Sequence, residues 1–223
     1  MLSKEEITRD VKKIVAAGKA VDANVAAYVK KEFHNTLSAC EKSGASVRQA
    51  TKDMLEAVAQ GLKEAGHATG EASAQVAEAM VEDTREITAS SLKAARAQTE
   101  KAKAALAAAV ANASGETDKA EAGAKEAMQE AYGELRGKTA EAEAQLREVA
   151  EGITDYAKEK AQDLNEATRS ALQKAAERAE AGFRDLKQAS AEYSKTLLAH
   201  GEAKLSHWLG ELKTRVDQMR HEA

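Results

Sequence analysis

Proline is missing from all 223 residues of this chain, where an average chain of that length carries about 11. Its absence removes the strongest helix breaker and leaves long uninterrupted helices open. There is one cysteine, Cys40, so an intrachain disulfide is excluded and a reducing compartment is expected. Aromatics are only 3% of the chain, and 33 basic residues are matched by 37 acidic ones, with a pI near 5.9. Nucleic-acid binding would need a basic face interleaved with aromatics, so it is not expected. Long apolar runs are also lacking. The alanine-rich stretch 104–111 is too short to span a bilayer, and no transmembrane insertion is expected. The first residues include Lys4, Glu5, Glu6, Arg9 and Asp10, which do not read as a secretory signal; the expected location is cytoplasmic. Leu, Ile, Val and Phe together number 34, a content low enough for disorder, but disorder usually also needs a high net charge, and here it is −4.

What the chain does have is helix-forming material and one pattern. Alanine accounts for 51 residues, and Ala, Glu, Lys, Arg and Leu together for 128, the range of long helices and coiled coils. From Ile153, steps of four, four and three pass through Ala157, Ala161, Leu164, Thr168, Leu172, Ala175, Ala179 and Phe183. The same eleven-residue stepping continues to Met219 and extends backwards to Thr36. A mean of 3.67 residues per turn keeps such positions on one face of a nearly straight helix. None of the 52 positions from Thr36 to Ala223 is charged, although 31% of the chain is. Chance would give this on the order of once in 10⁸. The expected fold class is all-α: long amphipathic helices in an elongated antiparallel bundle or coiled coil.

The punctuation within that pattern is sparse. Ser3 with Glu6 reads as a capping box opening a first helix, and Ser46 with Gln49 as a second. Gly18 is placed to end or bend the first helix, and Ser43-Gly44 is the first turn. Gly66 and Gly70 bracket a weak region, and a helix is expected from about Ala72 to Ala111. Asn112-Ala113-Ser114-Gly115 reads as a turn, although the stripe keeps its phase across it. Three segments follow: an N-terminal helical segment 1–43, a middle helical segment 44–113, and a long C-terminal amphipathic helix 117–223 running to about Met219, all within one domain or several. Glycines inside that last helix, such as Gly133, Gly137 and Gly152, cost about 1 kcal/mol each without having to break it. Glu5–Arg9, Glu134–Lys138, Glu143–Arg147 and Glu180–Arg184 are spaced for pairing along one helix.

No set of residues converges on catalysis, and no cofactor is expected. Glu64-x-x-His67 has the spacing used by di-iron bundles, but such sites need two copies and further glutamates, and a solvated turn histidine is the simpler reading. His200, His207 and Glu211 share a helical face that could hold a divalent metal; a polar flank beside Trp208 explains them as well. Cys40 lies on the stripe and reads as a small buried side chain. Gly133-x-x-x-Gly137 sits among Glu130, Glu134, Arg136 and Lys138 and so cannot be a membrane dimer motif. The candidate interaction stripe is Leu164, Leu172, Phe183, Leu186, Leu197, Leu205, Trp208, Leu212, Val216 and Met219, where the large apolar side chains concentrate. Trp208, the sole tryptophan, would either close the end of a bundle or anchor the chain at an interface.

Residues 186–212, LKQASAEYSKTLLAHGEAKLSHWLGEL, resemble the phasin stretch of Ala-Glu-Tyr-Ser-Lys followed by spaced Leu and Ala. Phasins are helical proteins that coat bacterial polyester storage granules. The resemblance implies a storage-granule or lipid-like apolar surface as partner, self-association through helices, and no catalysis. Ala157-Lys158-Glu159-Lys160-Ala161 and Ala124-Lys125-Glu126-Ala127 are similar to the repeat core of group-3 late-embryogenesis-abundant proteins. That family implies a chain partly disordered until it dries or meets a surface. The Leu, Phe, Trp and Met content of the C-terminal stripe departs from that family's very polar one. The expectation carried forward is a non-enzymatic helical coat or scaffold, with a stress protectant as the alternative.

Overall fold

The computed structural model describes residues 2–112 and 117–185 with 187, 188, 191, 192 and 195, with side chains omitted over 106–125 and at 128. The protein is all-α, and the described residues contain no strand. The helices are α1 (Lys4–Ala16), α2 (Val21–Ser43), α3 (Val47–Glu64), α4 (Thr69–Asn112), α5 (Thr117–Glu159) and α6, described over 166–185. The chain divides into two units. The first holds residues 1–91 and 140–184, the second 92–139 and 185–223.

Local chemistry sets the helix ends. The Ser3 hydroxyl accepts from Glu6 N–H at 3.2 Å, and Ser3 N–H donates to the Glu6 carboxylate at 2.8 Å, so the capping box is complete. At α3 only half of the expected box forms. Ser46 Oγ accepts from Gln49 N–H at 3.3 Å, but the Gln49 amide donates to Asp53 instead. Gly44 and Gly66 adopt left-handed conformations (φ +69° and +72°) and end α2 and α3. The turn expected at Asn112–Glu116 falls on 113–116, outside the described residues.

One expectation is overturned. The single helix expected from Thr117 to about Met219 stops at Glu159, and α6 starts afresh at 166. Between them the Ala161 and Asp163 N–H groups bond to carbonyls only three residues back, which tightens and closes α5. Asn165 then caps α6, its side-chain oxygen accepting from Thr168 N–H at 2.8 Å. The stripe keeps phase through this turn because Leu164 turns inward and stays 7% exposed.

In the first unit the stripe finds its counter-surface within the chain. Of its 28 stripe positions with a described side chain, 20 are buried and only Ser43 is exposed. Val25, Val29 and Phe33 of α2, Met54 and Val58 of α3, Val76 and Met80 of α4, Ile153 and Tyr156 of α5 and Leu172 of α6 belong to one core. Buried threonines on the stripe cost little, because each hydroxyl donates to the carbonyl four residues back. Thr36 reaches Glu32 at 2.9 Å, Thr51 reaches Val47 and Thr84 reaches Met80 at 2.8 Å.

Charge pairing in this unit runs mostly between helices. Lys4 bridges Asp53 and Glu56 at 2.7 and 2.8 Å, and Lys12 meets Glu64 at 3.0 Å, so α1 and α3 run parallel. Arg48 holds Asp155 at 2.6 Å and Glu151 at 3.1 Å, and Lys52 holds Glu159 at 2.6 Å, aligning α3 with α5. Arg178 of α6 meets Glu78 of α4 at 2.7 Å. Two of the pairs expected along single helices are replaced by others on the same helix: Arg9 takes Asp10, and Arg147 takes Glu151.

Glycines mark several places where helices touch, Gly152 and Gly61 among them. A Cβ on Gly152 would lie 2.6 Å from the Arg48 carbonyl oxygen and 2.7 Å from Thr51 Cβ; one on Gly61 would lie 2.8 Å from the Thr8 carbonyl oxygen. At Gly133 and Gly137 an added Cβ meets nothing. Gly152→Ala is therefore expected to destabilise the protein: overpacking of about 1–3 kcal/mol exceeds the roughly 1 kcal/mol that alanine contributes to a helix. Gly133→Ala is expected to stabilise by up to about 1 kcal/mol. Urea unfolding of both variants checks this, and shifts of the same sign would show that the close approach at Gly152 is not tight.

In the second unit the described core is small, with Leu92 and Ala95 of α4 against Leu135 of α5. Thr99 and Thr139 are buried there, bonded back to Ala95 and Leu135 at 2.9 and 2.8 Å.

Candidate functional site

The candidate stripe divides between inside and outside the described bundle. Leu164 and Leu172 are 7% and 0% exposed and belong to the core of the first unit. Phe183 is half-buried on α6. Leu186, Leu197, Leu205, Trp208, Leu212, Val216 and Met219 lie outside the described residues, as do His200, His207 and Glu211. An external contact through Leu164 or Leu172 would require the bundle to open, so the candidates for an outward face narrow to the residues beyond Phe183.

The remaining sequence candidates are separated by the fold. Glu64 is held by Lys12 at 3.0 Å and Gln60 at 2.9 Å, and its carboxyl lies below the usual range because of those bonds. His67 turns the other way and pairs with Asp22 at 2.8 Å. Among the described residues no three or more His, Cys, Asp or Glu side chains gather as a metal would need. Cys40 is 2% exposed, and burial, aided by Glu148, pushes its thiol pKa up, away from a reactive thiolate. No helix among the described residues is long and apolar enough to cross a membrane.

A cavity of about 610 Å³ opens at one end of the first unit. Sequence reasoning missed it, because it forms where the turn after α3 meets the turn between α5 and α6, and the second turn was not foreseen. The available signal was Asn165 followed by Glu166, an acceptor cap with an acid in the first turn. Lys63, Lys160, Glu56 and Asp163 line the cavity, with Tyr156 at 1% exposure in its wall. Glu56 is already engaged by Lys4 and His67 by Asp22, and burial raises the Tyr156 pKa. With two acids and two bases in its lining the cavity favours neither sign of ligand.

No protein-family model matches the chain, and neither the curated proteins nor the solved structures contain a match. The functional reading therefore rests on the chain's own residues.

Proposed function

We propose that this protein is a non-enzymatic interaction protein, a phasin-like helical coat or scaffold. Its first unit is a self-cored anchor, and the uncharged stripe beyond Phe183 meets an apolar surface or a partner helix. The observation that carries this reading is the change in the stripe's circumstances along the chain. Up to Phe183 the large stripe side chains described in the first unit are buried or half-buried within the chain itself. Beyond Phe183 the sequence continues the same uncharged register through seven more large apolar residues, with Trp208 among them. A stripe of that composition is favourable only when removed from water. The fitting surfaces are a storage granule or another lipid-like apolar phase, or a second helix.

The alternative is a stress protectant, partly disordered until it meets a surface. The cored, capped and ion-paired first unit supports the coat reading over this one. Circular dichroism of the full chain in dilute buffer, paired with co-sedimentation on polyester granules and on neutral liposomes, tests the choice. High helicity, a cooperative melt and co-sedimentation are expected. Low helicity that rises only on liposomes would favour the protectant. A cooperative, monomeric protein that stays in the supernatant with both surfaces would overturn the coat reading.

A further inference from the structure

Asp83 is the one charged side chain that is buried among the described residues, at 4% exposure. It sits on α4 beside the stripe residue Thr84, where Val81 and Thr88, also off the stripe, are buried as well. Its Oδ2 is enclosed and has no hydrogen-bond partner. Its Oδ1 lies 3.4 Å from His34 Nδ1 on α2, a long contact for a hydrogen bond, and His34 itself is 57% exposed. The charged groups facing Asp83 are His34 and Lys30 on α2 and Glu86 on its own helix. Lys30 is not free to neutralise it, being held by Glu86 at 2.8 Å. From α6, Arg178 is engaged by Glu78, and Arg85 of α4 extends along Gly182. An ionised carboxylate so placed has lost water at Oδ2 with no replacement and gained one weak contact at Oδ1, which is costly. A neutral carboxyl there avoids most of that cost.

We propose that Asp83 and His34 form a proton-operated latch between α2 and α4: one proton taken up by the Asp83 carboxyl tightens the bundle, and its release loosens it. The latch lies within the first unit and does not depend on the surface reading above. Burial holds the Asp83 carboxyl above the ordinary aspartate value of 3.8, with His34 and Lys30 opposing. A group raised in this way favours the folded state fully below its unfolded value and loses that contribution as pH rises through its folded value. The carboxyls of Glu6, Asp10, Glu64 and Asp155 are held below their ordinary values and act in the opposite sense at lower pH. The latch is therefore read as a difference between the native chain and a variant neutral at this position.

Asp83→Asn in the full chain supplies that variant. Amide hydrogen exchange in α2 and α4, corrected for intrinsic rates, would be followed from neutral pH down past the ordinary aspartate value of 3.8. At the neutral end Asp83→Asn should open less than the native chain. The gap should close as pH falls, by at most about tenfold per pH unit for a single proton. A gap that does not change with pH, or a variant that opens more than the native chain at neutral pH, overturns the proposal. If Asp83→Asn does not fold, the carboxyl carbon of Asp83 can be titrated by NMR in the native chain. A midpoint above that of an ordinary aspartate supports the latch, and one at or below it overturns it. His34→Ala should raise that midpoint further, and an unmoved midpoint would remove His34 from the latch.

Discussion

Leu172→Ala is expected to destabilise the protein by about 2–5 kcal/mol. Leu172 is fully buried on α6 and belongs to the core that also contains Leu164, Tyr156 and Val76. Truncation removes the transfer free energy of the side chain and leaves a cavity that flanking helices, fixed by ion pairs such as Arg178–Glu78, fill only in part. The matching control is Lys174→Ala, an exposed position two residues away, expected to stay within about 0.5 kcal/mol. Urea unfolding followed by circular dichroism measures both. A Leu172→Ala midpoint no lower than that of the control would mean that α6 does not pack on the core.

The same stripe, tested further along, is expected to respond in a different observable. Trp208→Ala combined with Leu212→Ala should weaken association by roughly 3–6 kcal/mol where both side chains are fully buried in the complex. The cooperative melt of the first unit should stay in place, because the described core of that unit is built from residues 7–179. The control pair is Thr139→Ala with Ala142→Ser, which removes little apolar area. Granule or liposome co-sedimentation and self-association by ultracentrifugation read the outcome. Equal behaviour of the two double variants in both assays would remove the C-terminal stripe as the binding face. If the Trp208 and Leu212 changes abolish the melt instead, those residues serve the chain's own core.

The fold class was legible because it depends on local and periodic information. An uncharged register at 3.67 residues per turn can be satisfied only by helices, and no proline interrupts it. The capping box at Ser3 and the turn at Ser43-Gly44 were readable for the same reason, since each involves atoms within a few residues of one another. The break at 160–165 was harder. The stripe crosses it in phase, and its only mark was a single asparagine cap, so a reading led by periodicity ran through it.

The glycines show what sequence could not decide. Gly133 and Gly152 look alike in the sequence, two glycines within alanine-rich helix. Only the packing of α5 on α3 leaves no room for a Cβ at Gly152, whereas at Gly133 one would meet no described atom. The same holds for charge: Arg48 finds Glu151 and Asp155 about a hundred residues away, and Asp83 becomes a buried carboxylate although its neighbours in sequence are ordinary. The sequence by itself determined that this chain is helical and that one face must leave water, since both follow from residue type and spacing. Tertiary structure alone decided which stretch of that face is covered by the chain itself, because coverage depends on which helices lie side by side, and residue spacing carries no record of that.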